Sequence, residues 1–161
     1  MGYIGPVIRV MPNINAKVGA SVSAFCCNEM VSNAEKNIVV ELFSAIGTVL
    51  ELSETQFAAF SAISSSACAY VHLFMDALAT AGVKAGFDKQ EAVKIVAQTM
   101  LGCAKIVLET ESTPHQLVDE ICSPGGTTIE GFAILKEKGF EGTVMKAIDA
   151  VIDKNVRIGK S

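Results

Sequence analysis

No charged residue occurs between Thr55 and Met75, a run of 21 positions in which most side chains are apolar. As a helix, such a run is long enough to cross a hydrocarbon core of about 30 Å. However, it also contains Ser64, Ser65 and His72, and no basic cluster flanks it to orient it across a bilayer. The pattern therefore favours burial in protein over a membrane span. Because the run is apolar on nearly every side of so small a chain, we expect burial between subunits.

The overall composition is that of one folded domain with a sizeable core. The chain has 161 residues, of which 50% are hydrophobic, and its formal net charge is -4. Disorder is excluded, because disordered chains combine low apolar content with high net charge. Seventeen acidic residues outnumber 13 basic ones, so the chain lacks the cationic surplus with which proteins bind a phosphate backbone. The composition therefore argues against nucleic acid as a partner.

Five cysteines are scattered without the spacing of a metal site, at Cys26, Cys27, Cys68, Cys103 and Cys122. No C-x-x-C or H-x-x-x-H pair pre-positions ligands. No charged-then-apolar leader opens the sequence. We therefore predict reduced thiols, a cytoplasmic protein and no metal. The alternative is a metal site that uses His72 or His115.

The first fifty residues carry short β-type runs, and helix signals dominate afterwards. Strands are predicted from Val7 to Val10, from Val18 to Phe25 and from Thr48 to Leu52, with a helix from Asn33 to Ile46. Three strands make an incomplete sheet, whose open edges require a partner. The sequence therefore predicts two parts, a β-rich front at 1–54 and an all-helical back at 55–161.

Helix starts are marked by capping boxes, in which a hydroxyl residue and a Glu or Gln three positions later satisfy each other's backbone amides. The pattern occurs at Ser32 with Glu35, Ser53 with Gln56, Thr113 with Gln116 and Thr127 with Glu130, and Asp88 with Glu91 is a close relative. Apolar residues at three-four spacing predict the strongest helix from Lys89 to Thr110.

The most informative short segment is Ser123-Pro124-Gly125-Gly126-Thr127-Thr128, which leads into a helical pattern. Consecutive glycines allow a ligand to approach the backbone, and a helix start leaves amides unpaired at the positive end of the dipole. With three hydroxyls added, the segment is a candidate anion site. The alternative is structural: the glycines turn the chain and Thr127 caps the helix.

The sequence lacks the motifs of a dinucleotide-binding site. A Rossmann site needs G-x-G-x-x-G between a strand and a helix, and no G-x-G and no Walker A lysine loop occur in this sequence. We therefore expect no dinucleotide to bind firmly to this chain alone.

Several motifs together resemble pyrroline-5-carboxylate reductase. They are Arg9-Val10-Met11-Pro12-Asn13, Ala69-Tyr70-Val71, Ala81-Gly82-Val83-Lys84-Ala85-Gly86 and, most specifically, Ser123-Pro-Gly-Gly-Thr-Thr-Ile129. The resemblance implies a mainly α fold. A helical dimerisation domain, similar to the C-terminal domain of 6-phosphogluconate dehydrogenase, follows a small β/α remnant of a Rossmann domain. It also implies an oxidoreductase of proline biosynthesis that reduces 1-pyrroline-5-carboxylate with NAD(P)H and works as a homodimer or higher homo-oligomer.

The resemblance also implies roles for individual residues. Ser123 and Thr128, with the backbone of Gly125, Gly126 and Thr127, would bind the substrate carboxylate, and Thr128 would assist proton transfer to the ring nitrogen. Glu111 would accept a hydrogen bond from that nitrogen; the alternative is that Glu111 is an exposed residue at a helix end without a role in the site. Met11, Pro12 and Asn13 would face the nicotinamide. One departure stands out: Ser65-Ser66-Ala67-Cys68 replaces a family sequence with two glycines and a proline, which affects the expected substrate fit near Ser66.

Three hypotheses follow for the function. The first is the substrate-binding and dimerising part of a pyrroline-5-carboxylate reductase, inactive in isolation because the G-x-G-x-x-G half is missing. The second is a helical oligomerisation module without catalysis. The third is a related helical domain from another imine or hydroxyacid reductase.

Overall fold

The computed structural model describes residues 3–159 and is mainly helical. Its strands are β1 (Ile8–Met11), β2 (Ser21–Cys27) and β3 (Gly47–Glu51). Its α-helices are α1 (Asn33–Ser44), α2 (Phe57–Phe60), α3 (Ala67–Lys84), α4 (Lys89–Glu109), α5 (Pro114–Ile121), α6 (Thr127–Glu137) and α7 (Phe140–Ile158). Short 3-10 helices cover Ile14–Val18 and Glu54–Gln56, and a π-helix covers Ser61–Ser66. The mainly α fold with a small β-containing front is confirmed.

The three strands form one mixed sheet in the order β1-β2-β3. β1 runs antiparallel to β2, and β2 runs parallel to β3. The start of β3 needs a glycine, because Gly47 has φ +144 and a Cβ there would lie 2.0 Å from the Ser21 carbonyl oxygen. The core lies between this sheet and α2, where Ala24 and Cys26 pack with Phe57 and Phe60. This packing ties the first helical turns after Glu54 to the sheet.

The described residues divide into two compact units, one formed by 3–69 with 147–159 and the other by 70–146. In the first unit the end of α7 contacts α2, since the Asn155 amide donates to the Ala58 carbonyl at 3.3 Å. In the second unit α3 meets α4, where Lys89 forms an ion pair with Asp76 at 2.7 Å. The domain boundary that the sequence suggests near residue 54 stays a prediction.

Most of the predicted helix starts are confirmed. Ser32 and Thr113 form complete capping boxes, and the Asp88 side chain accepts from the amides of Gln90 and Glu91. The box predicted at Thr127 with Glu130 is wrong. Gly126 is the N-cap of α6 in an extended conformation, and Thr127 is already the first helical residue. The turn before α6 therefore starts the helix one residue earlier than the hydroxyl pattern indicates.

The second predicted strand begins too early. Residues Ile14–Val18 form a 3-10 helix that Asn13 caps through its side chain, and Gly19 closes it with φ +69. The strand starts after this turn, at Ser21. The apolar residue Val18 fits the alternating pattern of a strand, but the cap by the Asn13 side chain stabilises a 3-10 helix at these residues instead.

The helical stretch Glu54–Lys84 is long and apolar enough, by length and composition alone, to cross a membrane. Within the single chain many of its large apolar side chains are open to solvent, among them Ile63, Val71 and Leu73. The next helix, α4, exposes Leu101 and Leu108 in the same way. Several large apolar side chains exposed on neighbouring helices are typical of a subunit interface.

Candidate functional site

A tight turn joins α5 to α6 and carries the segment that the sequence singles out. The amide of Gly126 donates to the carbonyl of Ser123 at 3.0 Å. Gly125 has φ +68, a left-handed conformation that side chains with a Cβ adopt at a cost. The chain then enters α6 directly at Thr127. The backbone conformation of this turn therefore favours a glycine at position 125, whereas Gly126 has an ordinary φ of -77.

The start of α6 leaves several hydrogen-bond donors open. Among residues 3–159, no acceptor binds the amides of Thr127, Thr128 and Ile129 or the hydroxyls of Ser123, Thr127 and Thr128. Ser123, Thr127 and Thr128 are all solvent-exposed. Three amides at the positive end of a helix, beside three hydroxyls, form a surface that suits a small anion.

The Ser123 hydroxyl lies beside Gly126, in space that a side chain at position 126 would occupy. A Cβ at Gly126 would lie 2.5 Å from Ser123 Oγ and 3.1 Å from the Ser123 carbonyl oxygen. Ser123 can fold over the backbone at the start of α6 because position 126 is a glycine. The geometry therefore brings together Ser123, Gly125, Gly126, Thr127 and Thr128, as the sequence analysis proposes for a binding loop.

Two carboxylates lie in the same compact unit as this loop. Glu130 is in the first turn of α6, and Glu111 lies in the connection between α4 and α5. Both are exposed, and neither forms a salt bridge among the described residues. Because the Glu111 carboxylate has no hydrogen-bond or ion-pair partner within the part of the chain that the structure describes, it can accept a hydrogen bond from a ligand N–H group.

The three residues that are predicted to face the cofactor, at the end of β1, differ in their exposure to solvent. Pro12 is exposed, Met11 is partly buried against the core, and Asn13 is buried. The Asn13 side chain accepts from the Asn15 amide at 3.2 Å and donates to the Ser64 carbonyl at 3.0 Å. Met11 and Pro12 therefore remain available as a surface, whereas the side-chain amide of Asn13 is used within the chain.

The departure at Ser65-Ser66-Ala67-Cys68 is accommodated inside a helix. The π-helix Ser61–Ser66 continues into α3 without a break. Its geometry is visible where the Ala67 amide bonds the Ala62 carbonyl, five residues back. The Cys68 thiol donates to the Ser64 carbonyl at 3.1 Å. Neither this π-helix nor its contact with Asn13 is predicted from the sequence, because no short pattern of residues marks either of them.

A second polar cluster, also absent from the sequence predictions, surrounds Glu54. The Cys26 thiol donates to Glu54 Oε2 at 2.9 Å, and Arg9 forms an ion pair with the same carboxylate. The Arg9 guanidinium also lies 4.5 Å from the centre of the Phe57 ring. Burial, reinforced by the Glu54 carboxylate, raises the pKa of Cys26 to about 11. The hydrogen bond from Cys26, together with Arg9, lowers the pKa of Glu54.

The Glu54 cluster is a poor candidate for nucleophilic chemistry, because a thiol with so high a pKa is almost entirely protonated near neutral pH. Cys26, Cys27, Cys68, Cys103 and Cys122 are all free thiols. Among residues 3–159, no three His, Cys, Asp or Glu side chains come together in a way that could hold a metal ion.

Comparison with known proteins identifies the family. The sequence profile described as "Pyrroline-5-carboxylate reductase dimerisation" matches residues 54–158. The chain belongs to the pyrroline-5-carboxylate reductase family. The match covers every helical segment from the 3-10 helix at Glu54 to the end of α7.

Curated relatives extend the likeness over nearly the whole chain. The pyrroline-5-carboxylate reductase of Aquifex aeolicus is 44% identical over 154 residues, which is 96% of this chain and 58% of that protein. The reductase of Escherichia coli is 37% identical over 161 residues, 100% of this chain and 60% of that protein. The chain thus spans a little under three fifths of the length of the A. aeolicus reductase, and the β-containing front is included in the likeness.

Solved structures of pyrroline-5-carboxylate reductases share the fold. The enzyme from Streptococcus pyogenes superposes with a TM-score of 0.89 at 43% identity, covering 92% of this chain and 57% of that one. The Plasmodium falciparum pyrroline carboxylate reductase, solved with NADP bound, gives a TM-score of 0.88 at 35% identity, covering 92% and 60%. The family and its helical dimerisation domain are thereby confirmed, and the domain's description implies homo-oligomerisation.

Proposed function

We propose that this chain is the substrate-binding and dimerising part of an enzyme that reduces 1-pyrroline-5-carboxylate to L-proline with NAD(P)H. The observation that carries the proposal is the open set of amides and hydroxyls at the start of α6, in a chain whose relatives are pyrroline-5-carboxylate reductases. The substrate is a small ring with one carboxylate and one C=N bond. Its carboxylate is a small anion that can accept hydrogen bonds from the exposed amides and hydroxyls of the loop.

The chain's own residues account for binding and proton handling. The amides of Thr127 and Thr128 and the hydroxyl of Ser123 bind the carboxylate, supported by the positive end of the α6 dipole. Reduction of a C=N bond adds a hydride to carbon and a proton to nitrogen. Thr128 assists that proton, and Glu111 accepts a hydrogen bond from the ring nitrogen. Fixing the acid in this way supplies orientation and charge complementarity, which are the protein's usual share when a cofactor carries the hydride.

The residues of this chain do not fit the pyrophosphate of a dinucleotide. The connection from β2 to α1 runs through Asn28, Glu29 and Met30 and contains no glycine, whereas a Rossmann turn needs glycines beneath the phosphates. We expect NAD(P)H to be held by the part of the relatives' length that this chain does not span. Within residues 3–159 no strand pairs with the outer edge of β1, so this edge is open to an added strand.

A second candidate is an oligomerisation module without catalysis. The exposed apolar side chains of α3 and α4 favour it, and so does the description of the matched domain. Both candidates predict self-association, so ligand binding is the property that separates them.

Isothermal titration calorimetry with L-proline, or with a cyclic carboxylate analogue, tests the proposal. The chain should bind the acid, and Ser123→Ala combined with Thr128→Ala should abolish binding. Thr143→Ala is the matched control, because it removes a first-turn hydroxyl of α7 that is already bonded to the Gly139 carbonyl. Binding that survives the double change would refute the loop as the carboxylate site. We also expect no turnover of pyrroline-5-carboxylate by the isolated chain, and measurable turnover would contradict that expectation.

A further inference from the structure

The side chain of Asn13 is buried directly after β1, with 8% of the residue exposed. Its Oδ1 accepts from the Asn15 amide at 3.2 Å, and its Nδ2 donates to the Ser64 carbonyl at 3.0 Å. The backbone amide of Asn13 donates to the Ser21 hydroxyl at 3.2 Å. Both ends of the side-chain amide are therefore bonded within the protein, and the contact with Ser64 joins residues 51 positions apart.

The partner carbonyl lies in an unusual helical turn. Ser64 is part of the π-helix Ser61–Ser66, a geometry that is rare and occurs frequently at functional sites. Its carbonyl accepts from the Cys68 thiol as well as from Asn13, and its hydroxyl donates to the Phe60 carbonyl at 2.7 Å. Of these bonds, the one from Asn13 is made by a residue outside the helix. It ties the π-helix to the end of β1.

We propose that Asn13 is a positioning residue, which fixes the π-helix Ser61–Ser66 against the end of β1 through the Ser64 carbonyl. The inference rests on the proposed function for its catalytic meaning. Asn13 directly follows Met11 and Pro12, which the family resemblance places at the nicotinamide. Ser64 directly precedes Ser65 and Ser66, which the resemblance places near the substrate. This buried hydrogen bond thus helps to set the relative position of both segments, beside the longer contact of the Asn15 side-chain amide with the Cys68 sulfur at 3.8 Å.

This role differs from contact with the cofactor in its kinetic signature. A misplacement of about 1 Å can lower turnover by about a hundredfold, whereas the affinity for the substrate carboxylate comes from a different loop. Loss of the Asn13 donor should therefore lower kcat and leave the KM for pyrroline-5-carboxylate nearly unchanged. It would also leave the Ser64 carbonyl without one of its donors.

The kinetic test uses the full chain joined to the part of the A. aeolicus reductase that it does not match. Asn13→Ala removes both side-chain bonds. Asn13→Asp keeps the size and the acceptor for Asn15 but places a carboxylate oxygen against the Ser64 carbonyl, so it isolates the donor. We expect both variants to lower kcat by about tenfold to a hundredfold with KM for pyrroline-5-carboxylate within about twofold. Lys17→Ala is the control: Lys17 is exposed in the 3-10 helix that Asn13 caps, and among the described residues no hydrogen bond joins its side chain to the π-helix or to Cys68.

A second measurement separates this inference from the proposed function. In the 161-residue chain, the amide nitrogen and proton shifts of Ser65 report on the preceding carbonyl. They should move in both Asn13 variants and stay in place in Lys17→Ala. Unmoved Ser65 shifts, or an unchanged kcat in an active chimera, would overturn the positioning role and leave the proposed function intact. An inactive wild-type chimera together with the expected shifts would count against the proposed function while supporting the contact itself.

Discussion

Ser123 Oγ occupies the space that a side chain at position 126 would need: a Cβ on Gly126 would lie 2.5 Å from it. The position of the Ser123 side chain therefore depends on a glycine at position 126. Because position 126 has no side chain, the Ser123 hydroxyl lies against the residue that directly precedes α6.

Gly126→Ala should weaken the binding of L-proline by about tenfold, equivalent to about 1.4 kcal/mol, because the new methyl group displaces the Ser123 hydroxyl. Titration calorimetry measures the effect. Gly131→Ala is the control within the same helix, since a Cβ there meets nothing within 4 Å. Equal affinities for the two variants would show that Ser123 does not need its present position.

Gly125→Ala should lower the free energy of unfolding by about 1 kcal/mol, because an alanine at φ +68 is strained. Urea denaturation measures the change. At Gly142, in the first turn of α7, a Cβ has open space and the conformation is helical. Gly142→Ala should therefore be neutral or stabilising by up to about 1 kcal/mol. Destabilisation of both variants to the same extent would contradict the argument from backbone strain.

Cys26 should react slowly with thiol reagents in the folded protein. With a pKa of about 11, about one thiol in a thousand is ionised at pH 8, and the thiolate is the reactive form. Mass spectrometry after brief alkylation should show label on the exposed Cys103 and almost none on Cys26. Glu54→Gln removes the nearby negative charge and should lower the pKa of Cys26 toward its ordinary value. Faster labelling of Cys26 in that variant is the expected result.

The same shift predicts a pH dependence of stability. The folded state holds the Cys26 proton more tightly than the unfolded state, so the contribution is present below pH 9.0, the ordinary pKa, and is lost as the pH rises toward about 11. Denaturation at pH 8 and pH 11 should give a smaller difference for Cys26→Ser than for the wild type. An equal difference would mean that this thiol does not contribute.

Self-association should depend on the apolar face of α3. Leu73 is 70% exposed in the single chain, and it lies in the matched dimerisation domain. Leu73→Glu should raise the dissociation constant of the dimer by at least about a hundredfold, because a carboxylate would be buried without a partner. Val18→Glu is the control, since Val18 is 79% exposed but lies outside residues 54–158. Light scattering that finds a monomeric wild type at micromolar concentration would refute the interface.

Local chemistry predicts the helices well, because a cap depends on residues three positions apart. Ser32, Asp88 and Thr113 satisfy their helix starts as the sequence indicates. Thr127 does not, because the turn closed by Ser123 and Gly126 sets where α6 begins. The contact between Asn13 and Ser64 lies beyond sequence patterns altogether. It joins residues 51 positions apart, which come together in the fold, where the sheet packs against α2 directly before the π-helix.

The open faces of α3 and α4 couple folding to assembly. Leu101 and Leu108 are 56% and 83% exposed in the single chain, so part of the hydrophobic free energy that holds these helices is released when a partner subunit covers them. The thermal midpoint should then rise with protein concentration, and refolding should include a bimolecular step whose rate depends on dilution. We therefore expect the thermodynamic stability of this chain to depend on its association with further copies.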